Sequence, residues 1–188
     1  MRLVPCQRMR ELSLRIIAGR WRGRRLKALR GRDVRPTSDR VRESWMAALG
    51  ADLEGARVLD LFAGSGALGF EALSRGAERV VFVERSRGAL KGIRDNAELL
   101  GAESEVEICG GDAMEYVRRL EAGAFDLALA DPPYGKGFAE RLIEAFGLVP
   151  FASQLWVEHR KTDATPDPPG LRQRRYGDTL ISIVEAKT

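Results

Sequence analysis

Residues 57–69 have the sequence RVLDLFAGSGALG. The first six residues form a mostly apolar run that contains Asp60, and this pattern predicts a buried β-strand. Gly64, Gly66 and Gly69 follow, so we expect a tight turn that brings the backbone close to a ligand before a helix begins. A strand, a glycine turn and a helix in this order are typical of the first unit of a doubly wound α/β sheet.

Strands and helices alternate along the rest of the chain. Apolar runs predict further strands at 79–84, 105–109, 125–130 and 155–158, and helices are predicted at 67–75, 87–100, 113–121 and 138–146. Two last strands, at 171–176 and 180–185, are joined by a turn at Gly177-Asp178 and should form an antiparallel hairpin at one edge. The sequence therefore predicts an α/β fold with a doubly wound, mostly parallel, seven-stranded sheet.

The first 50 residues differ from the rest in charge. The net charge of the chain is +4, but residues 1–45 carry +10 and the remainder carries −6. A small β-hairpin is predicted at 12–29, and a helix capped by Thr37 or Ser38 is predicted to run to Leu49. We therefore divide the chain into a basic extension, 1–50, and a sheet domain, 51–188, and expect the extension to bind a nucleic acid.

The composition argues against membrane, secreted and metal-binding classes. No run approaches the roughly 18–20 consecutive apolar residues of a membrane span, and residues 1–20 lack the apolar core of a secretory signal. Cys6 and Cys109 form no CxxC pair, and His159 is the single histidine, so we expect no metal site, and we expect His159 to be a structural or surface residue. The sequence predicts a cytoplasmic monomer without a membrane partner, and a start at Met1 or at Met9 stays open.

An acidic residue stands at or near the end of each of three predicted strands. In an open parallel sheet these ends meet at one edge, where ligands bind. The glycine turn alone would suit the pyrophosphate of a dinucleotide, but Asp60 beside it would repel a diphosphate and attract a cationic amino group. This favours S-adenosylmethionine, with Glu84 accepting the ribose hydroxyls and Asp112 the adenine amine. Asp112 could instead be only the N-cap of the next helix, or it could fill both roles.

The segment Asp131-Pro132-Pro133-Tyr134 follows directly after the predicted strand at 125–130. An exocyclic amine of a nucleobase is a poor nucleophile because its lone pair is delocalised into the ring. The Asp131 carboxylate and the Pro132 carbonyl can accept its two N–H groups and direct the lone pair, and the prolines hold both acceptors rigid. Asp131 can take the released proton, and Tyr134 can stack on a flipped base. The segment therefore predicts methyl transfer to a nucleobase amine.

Two groups of motifs resemble a known family. The glycine turn followed by Asp131-Pro-Pro-Tyr134 resembles the amino-methylating class I methyltransferases, whose fold is Rossmann-like. Two further segments are more specific, RIIAGRWRGR at 15–24 and RPTSDRVRE at 35–43. They resemble the RsmD-type methyltransferases of bacteria, which make N2-methylguanine in 16S ribosomal RNA. The resemblance extends from about Leu14 to Arg175-Tyr176-Gly177. It implies an enzyme that acts on an assembled or partly assembled small ribosomal subunit.

The resemblance also implies which residues form the sites. The cofactor pocket would be lined by Asp60, Phe62, Ala63, Gly64, Ser65, Gly66, Glu84, Arg85, Asp112 and Ala113. The target guanine would be held by the catalytic residues Asp131, Pro132 and Tyr134. The RNA would be contacted by Arg15, Arg20, Trp21, Arg22, Arg24, Arg25, Arg35, Thr37, Arg40 and Arg42. Residues 1–13 and 162–170 match nothing in the family, and no role is assigned to them.

Three other functions stay open at this point. An adenine-N6 methyltransferase of DNA or RNA needs the same acceptors, although such enzymes often carry a target-recognition region for which this chain has little room. An NAD-dependent oxidoreductase could use the glycine turn, but Asp60 and the segment at 131–134 argue against it. A non-catalytic RNA-binding assembly factor could hold S-adenosylmethionine, but it would not need that segment intact.

Overall fold

The computed structural model describes residues 14–28 and 39–187. Its helices are α1 (Asp39–Leu49), α2 (Ala67–Ser74), α3 (Arg87–Leu100), α4 (Ala113–Val117) and α5 (Phe138–Leu148). Its strands are β1 (Arg57–Leu61), β2 (Arg79–Glu84), β3 (Val106–Gly110), β4 (Phe125–Ala130), β5 (Ala152–Arg160), β6 (Arg172–Tyr176) and β7 (Thr179–Glu185). The predicted caps of α1, Thr37 and Ser38, lie outside the described residues. None of the helices in the described ranges is long and apolar enough to cross a membrane.

The seven strands form one sheet in the order β3-β2-β1-β4-β5-β7-β6. Strands β1 to β5 run parallel to one another, whereas β7 is antiparallel to both β5 and β6. This confirms the predicted mostly parallel sheet with an antiparallel C-terminal hairpin. The chain builds outward from β1 to β3 and then returns to β4, so the strand order reverses between β1 and β4. Ligands of doubly wound sheets bind beside the carboxyl ends of the strands at such a switch point.

Apolar side chains cover both faces of the sheet. One buried cluster joins residues of the central strands, such as Val58 and Phe82, to α1, α2 and α3. A second cluster joins Leu59 and Ala128, which face the other side, to α4 and α5. Gly69 lets α2 lie close to the sheet, because a Cβ at this position would stand 2.3 Å from the ring of Phe82. The glycine turn is thereby held directly above the end of β1.

Residues 14–28 form the predicted hairpin, in which Arg15 and Arg25 make an antiparallel bridge. Its apolar residues Leu14, Ile16 and Leu26 belong to the same buried cluster as α1 and α2. The domain boundary that the charge pattern places after residue 50 therefore crosses a continuous hydrophobic core. The hairpin and α1 therefore pack as part of the sheet domain, although the first 50 residues differ from the rest of the chain in net charge.

Glu71 of α2 fixes the hairpin to the sheet domain. Its side chain has no exposed surface, and its carboxylate accepts the backbone N–H of Ile17 at 2.8 Å and of Ala18 at 3.0 Å. Arg75, one helical turn later, forms an ion pair with it at 2.9 Å. Because a buried carboxylate is tolerated only when donors and a counter-charge satisfy it, these bonds define one position for the hairpin on α2.

Candidate active site at the switch point of the sheet

The strand register brings the predicted site residues to one edge of the sheet. Leu61, the last residue of β1, pairs with Ala130 of β4 and with Val83 of β2. Glu84, at the end of β2, pairs with Gly110 at the end of β3. The glycine turn, Glu84, Asp112 and Asp131 therefore follow neighbouring strand ends, on both sides of the switch point.

The turn after β1 has an unusual backbone. Phe62, Gly64 and Gly66 have positive φ angles of 59°, 55° and 78°, and the N–H of Gly66 donates to the Ala63 carbonyl oxygen at 2.7 Å. For Phe62, which is not a glycine, this conformation costs about 1–3 kcal/mol. Its ring packs against Phe138 at a centroid distance of 4.9 Å, which connects the glycine turn to the start of α5.

The Glu84 carboxylate joins the loops that follow β1 and β2. Oε2 accepts the N–H of Gly64 at 2.9 Å, and Oε1 accepts the N–H of Ser86 at 2.8 Å. Since a carboxylate oxygen can accept two hydrogen bonds, each oxygen keeps capacity for one hydroxyl donor. This is what a ribose with two adjacent hydroxyls would require. Arg85, the next residue, is exposed at the same rim.

Asp60 lies beneath the glycine turn. Its side chain is 1% exposed, and Oδ2 accepts the N–H of Gly69 at 2.9 Å. Burial raises the pKa of Asp60 well above its usual value, against the Gly69 hydrogen bond, and the carboxylates of Asp131 and Glu84 raise it further. A nearby cation would favour the ionised form, so Asp60 is placed to act on a ligand through its charge and by fixing the turn.

Asp112 is the N-cap of α4. Its Oδ1 accepts the N–H of Met114 at 2.8 Å and of Glu115 at 3.1 Å. Both bonds use Oδ1, so Oδ2 is the oxygen that a ligand amine could reach. A cavity of about 250 Å³ lies beside it, with Val83 and Tyr116 in its wall. The structure thus confirms the capping role of Asp112 and leaves its second predicted role, toward adenine, compatible with the geometry.

The segment Asp131-Pro132-Pro133-Tyr134 connects β4 to a buried acid on β5. The Tyr134 hydroxyl donates to Glu158 Oε1 at 2.5 Å, and Glu158 is 3% exposed. Ala130 pairs with Val157, and the residues that follow this pair are Asp131 and Glu158. Burial, and next the charge of Asp131, raises the pKa of Glu158 from 4.5 to about 8, against the Tyr134 hydrogen bond. Burial likewise raises the pKa of Tyr134, and the bond to Glu158 adds to this.

A cavity of about 250 Å³ opens beside this segment. Its walls include Pro132, Pro133, Tyr134 and Glu158, together with the start of α5 and residues 162–164. The guanidinium of Arg160 lies 5.2 Å from the centre of the Tyr134 ring. A base entering the cavity would meet rigid proline backbone, an aromatic ring and a buried carboxylate.

The hairpin exposes its arginines, and one of them also makes contacts within the protein. Arg15, Arg20, Arg22, Arg24 and Arg25 are exposed. Arg20 forms an ion pair with Glu105 and lies 4.0 Å above the ring of Trp21. Trp21 packs against the core, and its backbone N–H donates to Ser74 Oγ at 3.0 Å. The exposed arginines therefore stand on a hairpin that is anchored from below.

The structure contradicts the role predicted for Arg42. It was expected among the RNA contacts, but its side chain is 1% exposed, and its guanidinium donates to the Arg15 carbonyl oxygen at 2.7 Å. It therefore connects α1 to the hairpin and is not part of the exposed basic surface. Two other expected contacts, Arg35 and Thr37, lie outside the described residues, as does the side chain of Arg40.

His159 has the structural role that its isolation in the sequence predicts. Its side chain is 1% exposed, Nδ1 bonds the Arg160 carbonyl oxygen at 2.9 Å, and Nε2 bonds Ser182 Oγ at 2.8 Å. Both ring nitrogens are thus engaged within the sheet. Across residues 14–28 and 39–187, no group of His, Cys, Asp and Glu is arranged to hold a metal ion.

Two residues of this edge were missed by sequence reasoning. Glu158 was seen only as the end of a strand, and Phe138 only as the start of a helix. Glu158 carries a usable signal, because an acid that ends a predicted apolar strand repeats the pattern of Glu84 at the end of β2. Phe138 carries none, since its contact with Phe62 depends on how two loops fold toward each other.

Comparison with known proteins identifies the family. A family model described as "Conserved hypothetical protein 95" matches residues 14–185. The chain belongs to this family. Ribosomal RNA small subunit methyltransferase D of Haemophilus influenzae is 39% identical over 133 residues, which cover 70% of this chain and 69% of that protein. The protein of the same name from Escherichia coli K12 is 34% identical over 163 residues, covering 84% and 80%.

Solved structures agree with this family assignment. The Escherichia coli protein yhhF is 31% identical and superposes with a TM-score of 0.79 over 91% of this chain and 96% of its own. An RNA methyltransferase from Salinibacter ruber, solved with S-adenosyl-L-homocysteine, is 18% identical and shares the fold with a TM-score of 0.61 over 80% and 92%. The family therefore has the class I, Rossmann-like methyltransferase fold, and the resemblance seen in the sequence is confirmed.

Proposed function

We propose that this family member transfers a methyl group from S-adenosylmethionine to the N2 amine of a guanine in 16S ribosomal RNA. One observation carries the proposal: Asp131-Pro132-Pro133-Tyr134 stands directly after β4, next to the glycine turn, at the switch point of the sheet. Relatives of the family are named ribosomal RNA small subunit methyltransferase D, and this supports the choice of substrate.

The residues around the glycine turn fit S-adenosylmethionine. Gly64 and Gly66 have the positive φ angles that bring a backbone close to a ligand. Glu84 keeps one accepting site on each oxygen for the ribose hydroxyls, and Asp112 keeps Oδ2 for the adenine amine. The carboxylates of Glu84 and Asp131 lie close enough to Asp60 to raise its pKa. Three acidic groups so close together suit a cationic ligand. When bound, the cofactor supplies a methyl group on a positively charged sulfur.

The protein's own contribution is alignment and proton transfer. The Asp131 carboxylate and the Pro132 carbonyl oxygen accept the two N–H groups of the guanine amine and turn its lone pair toward the methyl carbon. Asp131 then takes the proton that the amine loses once it has gained the methyl group, and S-adenosylhomocysteine would leave after its bond to that methyl group has broken. The prolines hold both acceptors before the base arrives, and such positioning lowers a barrier by on the order of 7–11 kcal/mol. Tyr134 supplies the stacking face for the flipped base.

The exposed arginines of the hairpin support an RNA substrate. Arg15, Arg22, Arg24 and Arg25 are exposed on an element that Glu71 and Ser74 hold against α2. Arginine binds phosphate oxygens in pairs and stacks on bases. We infer that the hairpin holds RNA of a small subunit, or of an assembly intermediate, while the base enters the cavity beside Tyr134. This substrate would place the protein in the cytoplasm, acting as a monomer.

The proposal is tested by removing the carboxylate of Asp131. We expect Asp131→Ala to keep RNA binding and to lower the rate of methyl transfer to unmethylated small subunits by on the order of 10²–10⁴-fold, because the amine loses an acceptor and its base. Asp126→Ala is the matched control, since Asp126 lies on the same strand and bonds the N–H of Arg57 at the opposite end. Equal rates for the two variants, measured with methyl-labelled cofactor, would contradict the proposal.

A further inference from the structure

Glu158 has a feature that methyl transfer alone does not explain. Its Oε1 accepts the Tyr134 hydroxyl, but its Oε2 is buried and has no hydrogen-bond partner among the residues that the structure describes. A buried carboxylate oxygen without a donor is costly, because it has lost water and gained nothing in return. Glu158 lines the cavity beside Tyr134, so a ligand bound there can supply the donor that the ionised Oε2 lacks.

The position of Glu158 limits which part of a ligand can be that donor. Glu158 follows the β5 residue that pairs with Ala130, and Asp131 follows Ala130. The two carboxylates are close enough for Asp131 to raise the pKa of Glu158. A base whose exocyclic amine lies at Asp131 would therefore present to Glu158 the ring position next to that amine.

The nucleobases differ in the ring atoms that flank the amine. In guanine the N2 amine lies between N1–H, which is a donor, and N3, which is an acceptor, so N1–H is the flank that a carboxylate can bind. In adenine the N6 amine stands beside N1, and in cytosine the N4 amine stands beside N3, and both ring nitrogens are acceptors. A carboxylate oxygen at this point accepts from guanine and repels the other two bases, and a site built around one hydrogen bond strongly rejects analogues that lack it.

We propose that Glu158 selects guanine by accepting its N1–H through Oε2, while Tyr134 holds the carboxylate in place through Oε1. This inference rests on the proposed function, because it assumes that the amine being methylated belongs to a nucleobase at Asp131. Glu158 is then a specificity-determining residue, and Asp131 remains the residue that holds and deprotonates the amine.

The protonation state of Glu158 gives the selection a pH dependence. With a pKa raised to about 8, Glu158 is largely protonated at neutral pH, and it must release this proton to accept N1–H. The titratable and charged groups around it are Asp131 and Tyr134 after β4, Glu140 on α5, Arg160 and His159 on β5, and Asp163 after β5. Preference for N1–H over a ring acceptor should therefore increase as the pH rises toward about 8.

The test compares two substrates that carry the same amine. 2-Aminopurine has the N2 amine of guanine, but its N1 is an acceptor without hydrogen. Small subunits are reconstituted with RNA that carries either base at the mapped target position, and kcat/KM is measured for each. For the wild type we expect the preference for guanine over 2-aminopurine to increase about tenfold per pH unit between pH 6 and pH 7.5, because the carboxylate accepts N1–H whereas the protonated carboxyl donates to a ring acceptor.

Glu158→Gln should reduce this preference by about 10- to 100-fold and remove its pH dependence. Gln keeps an oxygen for the Tyr134 hydroxyl and places an amide N–H₂ where Oε2 was, and this donor opposes N1–H and suits an acceptor. Glu185→Gln is the matched control, because Glu185 is exposed on β7, outside the cavity, and forms an ion pair with Arg172. We expect this control to keep the wild-type preference and pH dependence.

The outcomes separate the inference from the proposed function. If the wild type methylates guanine, but its preference over 2-aminopurine is independent of pH and is unchanged in Glu158→Gln, then the role of Glu158 is wrong and the proposed function stands. If the wild type makes no N2-methylguanosine at all, both are overturned. If Glu158→Gln fails to bind S-adenosyl-L-homocysteine, the role of Glu158 is tested by the pH dependence of the wild-type preference for guanine over 2-aminopurine alone.

Discussion

Glu158 shows how one residue can be placed for function at a cost to stability. Its side chain is 3% exposed, it lies beside Asp131, and one of its oxygens has no partner in the part of the chain that the structure describes. Proteins remove such groups from their cores unless the group is needed, because apolar residues of similar volume are often as stable or more so. Its presence therefore supports a role in the site.

The same residue predicts how stability depends on pH. Its pKa is raised from 4.5 to about 8, so the unfolded chain releases this proton at a lower pH than the folded protein does. The wild type should lose free energy of unfolding as the pH rises from about 4.5 to about 8, by at most about 1.4 kcal/mol per pH unit. We expect the free energy of unfolding of Glu158→Gln to decrease less over this range than that of the wild type, as measured by urea unfolding at pH 5 and at pH 8.

The control for this prediction is a second change from glutamate to glutamine. Glu185 lies on β7 and is exposed, where it forms an ion pair with Arg172. Glu185→Gln should follow the wild-type pH dependence. A Glu158→Gln curve parallel to that of the wild type would show that Glu158 ionises normally in the folded protein.

Residues of the candidate site were predictable where the sequence order itself carries the signal. Asp60, Glu84, Asp112 and Asp131 all lie near, at or just after the end of an apolar strand, and parallel strands bring such residues to one edge. Glu158 contacts the site because β5 pairs with β4 in one particular register, and no local pattern specifies that register. The burial of Arg42 was unpredictable for a similar reason, since its helical position is basic in sequence but faces the hairpin.

At the scale of elements, the predicted bounds were accurate where the apolar pattern and the turn residues indicate the same limits. The predicted limits of β2, α3 and β4 match the structure, because each is a continuous apolar or amphipathic run bounded by clear turns. β5 is longer than predicted, at Ala152–Arg160 instead of 155–158, because pairing with β7 extends it over polar residues such as Gln154 and His159. α4 ends at Val117 rather than at 121, where bonds such as Arg119 N–H to Tyr116 oxygen tighten the last turn.

The docking of the hairpin gives a prediction with a built-in control. Gly19 and Gly23 have nearly the same φ, 83° and 82°, so alanine is strained to a similar degree at both. A Cβ at Gly19 would lie 1.7 Å from the Ser74 carbonyl oxygen, whereas at Gly23 it would meet nothing within 4 Å. Gly23→Ala should cost about 1–2 kcal/mol, and Gly19→Ala should cost clearly more.

The local readout is protease cleavage within residues 14–28, and the global one is the free energy of unfolding in urea. We expect faster cleavage for Gly19→Ala than for Gly23→Ala, because the clash with Ser74 releases the hairpin from α2. Equal cleavage rates and equal unfolding free energies would show that the hairpin is not held at this contact.

At the scale of the whole molecule, opposite charges lie on different parts of the surface. Acidic side chains gather at the strand ends around the glycine turn, and exposed arginines gather on the hairpin that α2 supports. The acidic edge suits a cationic cofactor, and the basic hairpin suits an RNA backbone. Asn96 of α3 connects the two parts, since its amide bonds both the Lys27 backbone and the Ser65 carbonyl oxygen.

This division predicts the salt dependence of RNA binding. If Arg22 and Arg24 each neutralise one phosphate, Arg22→Gln with Arg24→Gln should reduce the slope of log affinity against log salt by about 1.4, at roughly 0.7 per contact. The control is Arg57→Gln with Arg79→Gln, which removes the same charge at the amino ends of β1 and β2, where both residues are exposed. Identical slopes for the two double variants, measured by filter binding, would contradict the role of the hairpin.

The central claim is that the protein methylates the N2 amine of guanine in small-subunit RNA. It is tested most directly by incubating the protein with methyl-labelled S-adenosylmethionine and small subunits that lack base methylation, and then identifying the labelled nucleoside after complete digestion of the RNA. We predict label in N2-methylguanosine alone. Label in N6-methyladenosine would contradict the claim about the base, and binding of the cofactor without any label in RNA would contradict the claim of catalysis on this substrate.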